Sequence, residues 1–192
     1  MEHAPMIISV RGTNGAGKST LVREVMKSFT RDGGKVYAMQ YPPDENKRRP
    51  MGYICRNADQ TKALFIIGHY ENARANGGVD TLPNMKYAHD LALNHHNMGF
   101  DILMEGKNFT ESPTWILKQH EDKLDVRVVL IDTPVGQCMK SVIARGHKIQ
   151  EKTIRGLHAK SRVQFRLFEK AGVPAYKGTR RQCLEKVQSW LK

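Results

Sequence analysis

The sequence predicts an α/β fold in which a mainly parallel β-sheet carries helices on both faces. Short apolar runs typical of buried strands alternate with longer amphipathic segments along the 192 residues. A glycine-rich turn joins the first of these runs to the first helical segment. This alternation is typical of parallel strands connected by helices that cross the sheet. At this length we expect one compact domain over residues 1–192.

The individual elements follow this alternation along the chain. Strands are predicted over 6–10, 35–40, 101–104, 126–131 and 173–176, and helices over 18–30, 84–98, 112–120, 135–145, 153–171 and 180–191. Residues 63–68 fit either a strand or a short helix, because so short an apolar run has no decisive periodicity. Gly156 is a point at which its helix can divide, since an interior glycine costs about 1 kcal/mol.

Two regions are expected to add to this framework. Residues 41–61 are polar and proline-bearing and include the cations Lys47, Arg48 and Arg49, so we predict a loop on the substrate side. With the glycine-bearing segment 76–82 it forms an insertion around 41–82. A basic lid and helical region is expected around 145–171.

The phosphate-binding motif is the most specific feature of the sequence. Its glycines let the backbone curl so that N–H groups point at an anion, next to the positive end of the following helix. The segment satisfies the G-x-x-x-x-G-K-[ST] pattern at each fixed position and comprises Gly12, Thr13, Asn14, Gly15, Ala16, Gly17, Lys18 and Ser19, followed by Thr20. A buried strand precedes it and a helix follows it, so a three-layer P-loop NTPase fold is predicted, with ATP and Mg²⁺ as ligands.

Each side chain of this motif has an expected role. Lys18 is predicted to reach the β- and γ-phosphates, Ser19 to bind Mg²⁺, and Thr20 to contact the α-phosphate. A glycine-rich turn with an incidental Lys-Ser is the alternative interpretation, and the flanking strand and helix argue against it.

Two carboxylates are candidates for the acceptor side. Glu105 ends a predicted strand, at the edge where open α/β sheets bind ligands, and could hold Mg²⁺ or orient the acceptor. Asp80 follows Gly77 and Gly78 and could accept the proton of an attacking hydroxyl. The alternatives are a solvent-facing acid at a strand end for Glu105 and a plain turn residue for Asp80.

Other side chains suggest a kinase rather than another nucleotide hydrolase. No Asn-Lys-x-Asp segment typical of GTPases and no Ser-Gly-Gly-Gln segment typical of transporters occurs. Asp132-Thr133-Pro134 precedes a predicted helix, and Arg145 follows it, as in small-molecule and nucleotide kinases. Arg145 is therefore the candidate for stabilising charge on the transferring phosphoryl group. His69 and Tyr70 fit either stacking on a base or ordinary packing.

Positive charge is concentrated in the last part of the chain. The net charge is +12, and residues 139–192 carry 14 Lys and Arg against 3 Asp and Glu. At 3.6 residues per turn one helical face would hold Lys148, Lys152, Arg155, Arg162, Arg166 and Lys170. Such a row suits a phosphodiester backbone, and a solvated basic face is the alternative.

Taken together, the segments 11–20, 68–71, 77–81, 103–106 and 132–134 resemble the bacteriophage 5-hydroxymethyluracil DNA kinases. The resemblance implies a P-loop kinase that uses ATP to phosphorylate the hydroxymethyl group of a modified base within DNA. Val79 stands where that family has a cysteine. DNA containing a hydroxymethylated pyrimidine is thus the expected partner.

Two rival functions stay open at this point. One is a kinase for a free nucleotide or small metabolite, against which the basic third of the chain argues. The other is a DNA-associated ATPase, against which the absence of motor motifs at this length argues. The three cysteines have no metal-ligand spacing. We expect neither a signal peptide nor a membrane span. The expected setting is the cytoplasm, which is that of the host cell if the chain is phage-encoded.

Overall fold

The computed structural model describes residues 4–42, 49–71, 77–106 and 112–192. The strands in these ranges are β1 (Met6–Arg11), β2 (Lys35–Met39), β3 (Gly52–Arg56), β4 (Ala63–Ile67), β5 (Asp101–Glu105), β6 (Asp125–Ile131) and β7 (Ala175–Gly178). The helices are α1 (Lys18–Arg31), α2 (Met85–Asn97), α3 (Thr114–Glu121), α4 (Val135–Ala144), α5 (Glu151–Lys170) and α6 (Arg180–Trp190), with a 3₁₀ turn at Val79–Thr81.

These seven strands form one sheet in the order β2-β3-β4-β5-β1-β6-β7. Strands β4, β5, β1, β6 and β7 are parallel to one another, and β3 is antiparallel to both β2 and β4. The carboxyl ends of the parallel strands therefore meet at one edge of the sheet, where the loops after β1, β4, β5 and β6 come together.

Helices cover both faces of the sheet, as predicted. Alternate residues of β1 point to opposite sides, so Ile8 lies in one apolar cluster and Ile7 in the other. The first cluster includes Leu21 and Val25 of α1 and residues of α4 and α6, and the second includes residues of α2, α3 and α5. The two clusters fix the sheet between two helical layers.

The structure differs from the prediction in the region 41–61. Residues 52–56 form β3 rather than loop, because β2 and β4 bond to both of its edges and bury Tyr53 and Cys55. The run at 63–67 is a strand, which resolves the alternative left open by periodicity. Lys47 and Arg48 lie outside the described residues.

The basic helix also differs from its prediction. Helix α5 begins at Glu151, so Lys148 precedes it and cannot belong to its row of cations. Gly156 does not divide the helix, which is continuous over 20 residues because Ile154, Phe165 and Phe168 are buried along its inner side. In the described ranges, no helix combines the length and apolar character needed to cross a bilayer.

Candidate active site

The phosphate loop takes the conformation that its glycines were predicted to allow. Gly12, Gly15 and Gly17 have φ of 147°, 82° and 98°, in the region that L side chains rarely adopt. At Gly15 an added Cβ would lie 2.3 Å from the carbonyl oxygen of Cys138, so α4 packs directly on the loop. The Thr133 hydroxyl donates to the carbonyl of Ala16 at 3.1 Å and ties the β6–α4 connection to the same loop.

Lys18 lies at the start of α1 with its ammonium folded over the loop. Its Nζ donates to the carbonyls of Gly12 at 2.9 Å and Thr13 at 3.4 Å. An ammonium has three donors, so the third can reach a phosphate. Burial lowers the pKa of Lys18, and the Glu105 and Asp80 carboxylates oppose that effect. These two acids therefore help to keep Lys18 charged inside the protein.

Ser19 and Glu105, the two predicted Mg²⁺ ligands, lie side by side. The Ser19 hydroxyl donates to Oε1 of Glu105 at 2.7 Å. Glu105 is 2% exposed at the end of β5, which excludes a solvent-facing acid. Burial raises the pKa of its carboxyl, whereas Lys18 and the Ser19 hydrogen bond lower it.

Asp80 lies in a turn packed against the end of β5. Gly78 has a φ of 73°, and an added Cβ there would lie 2.0 Å from the backbone oxygen of Glu105. From the other side, an added Cβ at Gly106 would lie 3.1 Å from Oδ1 of Asp80. Thr81 anchors the turn, because its hydroxyl accepts from the His69 N–H at 3.0 Å and donates to the Gly78 carbonyl at 2.7 Å. The glycines thus let the Asp80 turn and Glu105 approach within contact distance.

The loop and both acids line one cleft of about 940 Å³. Of the predicted nucleotide-binding residues, those from Asn14 to Thr20 form part of its wall, whereas Gly12 and Thr13 present carbonyls to Lys18 from outside the wall. Arg145 lines the cleft just after α4, with its Nε donating to the Ser141 carbonyl at 3.2 Å. The predicted catalytic residues Lys18, Asp80, Glu105 and Arg145 therefore share one cavity.

The described residues that line the cleft carry an excess of positive charge. Their acidic side chains are Asp80, Glu105 and Asp132. Their cations are Lys18, Arg23, Lys140, Arg145, Lys148, Arg180 and Arg181. Sequence reasoning missed four of these seven as site residues. Arg23 follows Ser19 by one helical turn, a spacing that could have indicated it; the others lie in no motif that would single them out.

The predicted row of cations on the basic helix separates into three groups. Lys148 lines the cleft. Arg155 pairs with Glu151 on the same helix, and Arg162 donates to both carboxylate oxygens of Asp132 at 3.0 and 2.9 Å. Within the described residues, no ion pair involves the remaining members Lys152, Arg166 and Lys170. The row is thus not one uniform surface.

His69 and Tyr70 pack inside the protein. They are 5% and 3% exposed, and the Tyr70 ring lies 6.2 Å from that of Tyr53. Of the two interpretations of these residues, the structure favours packing over stacking on a base.

The oxygen donors at Ser19 and Glu105 fit Mg²⁺. This ion prefers oxygen ligands and usually keeps several waters beside one or two carboxylates and substrate phosphates. Among the described residues, no group of three or more His, Cys, Asp or Glu side chains could hold a metal. A hydroxyl and a carboxylate joined by a 2.7 Å hydrogen bond at the phosphate loop match this sparse mode of binding.

Comparison with known proteins gives one similar curated protein above 30% identity. The chain is 33% identical over 142 residues to a 5-hmdU DNA kinase of the Pseudomonas phage PaMx11, covering 72% of this chain and 68% of that protein. No family model matches the chain.

Similar solved structures agree with the fold. A deoxyadenosine kinase of M. mycoides with dCMP and dCDP bound has a TM-score of 0.50 at 16% identity, covering 97% of this chain and 98% of that one. The same enzyme with dATP bound has a TM-score of 0.50 at 17% identity, covering 97% and 99%. At such identity the likeness concerns the fold, which is that of P-loop kinases.

Proposed function

The chain belongs to the 5-hmdU DNA kinase family, and from this premise we propose that it transfers the γ-phosphate of ATP to the hydroxymethyl group of 5-hydroxymethyluracil in DNA. Because the members of this family are kinases, the chain is a phosphotransferase. One observation carries the finer proposal: Lys18, Ser19, Glu105 and Asp80 line a single cleft, and its lining residues that the structure describes include seven cations and three acids.

The phosphate loop and its neighbours provide the donor half of the site. Backbone N–H groups of the loop and the Lys18 ammonium would hold the triphosphate. Ser19 and Glu105 would hold a Mg²⁺ ion, which when bound neutralises charge on the β- and γ-phosphates. Arg145, which lines the same cleft, would stabilise charge on the group in transfer.

Asp80 is the better candidate for the general base. Glu105 accepts a hydrogen bond from Ser19, and its carboxylate is attracted by the Lys18 ammonium. We therefore assign Glu105 to the Mg²⁺ site. Asp80 is held next to it by the glycine turn and by Thr81, on the wall of the same cleft. In the reaction the hydroxymethyl oxygen forms a bond to the γ-phosphorus, the bond from that phosphorus to the β–γ bridging oxygen breaks, ADP leaves, and the hydroxyl proton moves to Asp80.

Charge supports a polymeric acceptor over a free nucleoside. Among the described lining residues of the cleft, seven cations less three acids leave four positive charges. A triphosphate with one bound Mg²⁺ carries about two negative charges. The surplus fits an acceptor that brings phosphates of its own, as a DNA strand does. Because the relative is phage-encoded, the host-cell cytoplasm is the proposed setting.

The function is tested with γ-labelled ATP and three acceptors: DNA bearing 5-hydroxymethyluracil, the same DNA unmodified, and the free hydroxymethylated nucleotide. Label is expected in the modified DNA alone. The Lys18→Ala protein, which lacks the phosphate-binding ammonium, serves as the inactive control. Label in the free nucleotide and not in DNA would replace the proposal by a nucleotide kinase, and ADP release without a labelled acceptor would replace it by an ATPase.

A further inference from the structure

Five exposed cations that form no ion pair with another described residue bear on DNA binding, and they lie in two places. Lys140 and Lys148 are exposed and line the mouth of the cleft, on α4 and on the connection to α5. Lys152 is exposed in the first turn of α5, four residues beyond Lys148. Arg166 and Lys170 are exposed in its last two turns. The two sets could each bind a polyanion, but only one of them is near the reacting groups.

Helix α5 begins beside the cleft and contributes no residue to its lining, although Arg162 holds Asp132 of the cleft wall. Lys148 and Ile149, just before the helix, line the cavity. Beyond its far end, the Pro174 carbonyl accepts from the Val128 N–H within the sheet. At a rise of 1.5 Å per residue, Arg166 lies roughly 21 Å and Lys170 roughly 27 Å from Lys152 along the helix. Neither Arg166 nor Lys170 lines the cavity, so phosphates bound there would lie outside it.

The acceptor's own phosphates must come close to the mouth. Its hydroxymethyl group has to reach Asp80 inside the cleft, and the base that carries it is joined to the backbone by one sugar. The phosphates on either side of that sugar are therefore held near the entrance. Exposed ammonium groups at the entrance are suited to contact them, because lysine binds phosphate as a mobile point charge.

We propose that the acceptor strand's backbone crosses the mouth of the cleft over Lys140 and Lys148 and leaves past Lys152, and that it does not follow the length of α5. This placement rests on the proposed DNA kinase function. It assigns Lys140 a role in DNA binding and removes Arg166 and Lys170 from the DNA-binding surface. Arg155 and Arg162 are excluded for a separate reason, since each already holds a carboxylate.

Three double variants of equal charge change separate the possibilities. Lys140→Gln/Lys148→Gln removes the mouth lysines, and Arg166→Gln/Lys170→Gln removes the far end of α5. Lys35→Gln/Lys123→Gln is the control for net charge, since these exposed lysines lie where β2 and β6 begin, at the opposite edge of the sheet. For each protein, the affinity for a duplex bearing 5-hydroxymethyluracil is measured across a salt series, with ATP affinity measured separately in the absence of DNA.

The mouth variant is expected to lose about two phosphate contacts and so to flatten the log–log salt slope by about 1.8, at roughly 0.9 per contact. The other two variants should keep the wild-type slope, and ATP affinity should stay within a factor of about three in all. A flattened slope in the Arg166/Lys170 variant overturns the placement. So does an unchanged slope in the mouth variant with weakened ATP binding, which would assign its lysines to the triphosphate. If wild type still phosphorylates modified DNA in either case, the proposed function stands while the placement fails.

Discussion

At the scale of single residues, the two acids of the cleft have different surroundings and hence different expected roles. Glu105 is buried, accepts from Ser19 and lies near Lys18. Asp80 is only partly buried and is held by a turn that glycines allow to approach β5. Glu105 is thus hydrogen-bonded to the phosphate-loop helix, whereas Asp80 is held beside it on a turn that lines the same cleft.

We expect Asp80→Asn to lower kcat by about 10²–10⁴-fold, the usual contribution of a general base, with the Mg²⁺ concentration for half-maximal rate unchanged. Glu105→Gln should instead raise that Mg²⁺ concentration. Steady-state rates over a Mg²⁺ series measure both effects. Asp90→Asn, an exposed acid of α2 that pairs with Lys86, is the matched control and should behave as wild type. Full activity of Asp80→Asn would make Asp80 a turn residue only.

The pH dependence gives the same assignment a second readout. Because burial raises the pKa of Glu105, its carboxyl takes up a proton at a higher pH than an ordinary glutamate as the pH falls. A protonated carboxyl is a poor metal ligand, so wild type should need more Mg²⁺ as the pH falls through this raised pKa. The Glu105→Gln variant should not show that dependence.

At the scale of elements, α5 contacts the connection between β6 and α4, and that connection is hydrogen-bonded to the phosphate loop. Arg162 and His158 both contact the Asp132 carboxylate, the latter with Nε2 at 3.1 Å. The hydrogen bonds from Arg162 lower the pKa of Asp132. Thr133, the next residue, donates to the loop at Ala16. The basic helix is therefore linked to the phosphate loop through Asp132 and Thr133, an arrangement that a row of exposed cations did not predict.

Arg162→Ala is accordingly expected to raise the KM for ATP several-fold while the salt slope of DNA binding stays as in wild type. Arg162→Lys, which keeps the charge but not the two-pronged contact, should recover the KM only in part. Arg166→Ala, one turn further along, is the control with no change in KM. The double variant Asp132→Asn/Arg162→Ala should lose less free energy of ATP binding than the sum of the losses in the two single variants, since both substitutions remove the same interaction. Strict additivity in this cycle would contradict the assignment.

Gly156 allows a prediction about stability in the same helix. It lies inside α5, and an added Cβ would meet no atom within 4 Å. Replacing an interior helical glycine by alanine removes backbone freedom from the unfolded chain at no steric cost. Gly156→Ala should raise the free energy of unfolding by about 0.5–1 kcal/mol in urea denaturation. Gly15→Ala, where the added atom meets Cys138, should lower it.

At the scale of the whole molecule, local signals predicted most of the architecture. The phosphate loop could be located because its chemistry requires particular residues at fixed spacing, and Glu105 because it ends an apolar run. Strand β3 was not found, since its burial comes from β2 and β4 rather than from its own sequence. Lys148 was misplaced because helical periodicity was extended across a boundary that only tertiary structure sets.

The cleft cations were hard to predict for a related reason. Arg180 follows β7, and its side chain lies over the phosphate loop, where an added Cβ at Gly17 would meet its Cδ at 2.9 Å. About 160 residues separate the two along the chain, so no spacing rule connects them. A charge excess can be counted from sequence, but its distribution between a cleft and a helix requires the fold.

The burial of the three cysteines has a practical consequence for reporter chemistry. Cys55, Cys138 and Cys183 are all free and buried, and burial raises their pKa values, to about 12 for Cys55 and about 11 for Cys183. Maleimide dyes react with the exposed thiolate, which these side chains supply poorly. The wild-type background is therefore suited to site-specific labelling. A single cysteine introduced at an exposed position can carry a fluorophore without first replacing the native ones.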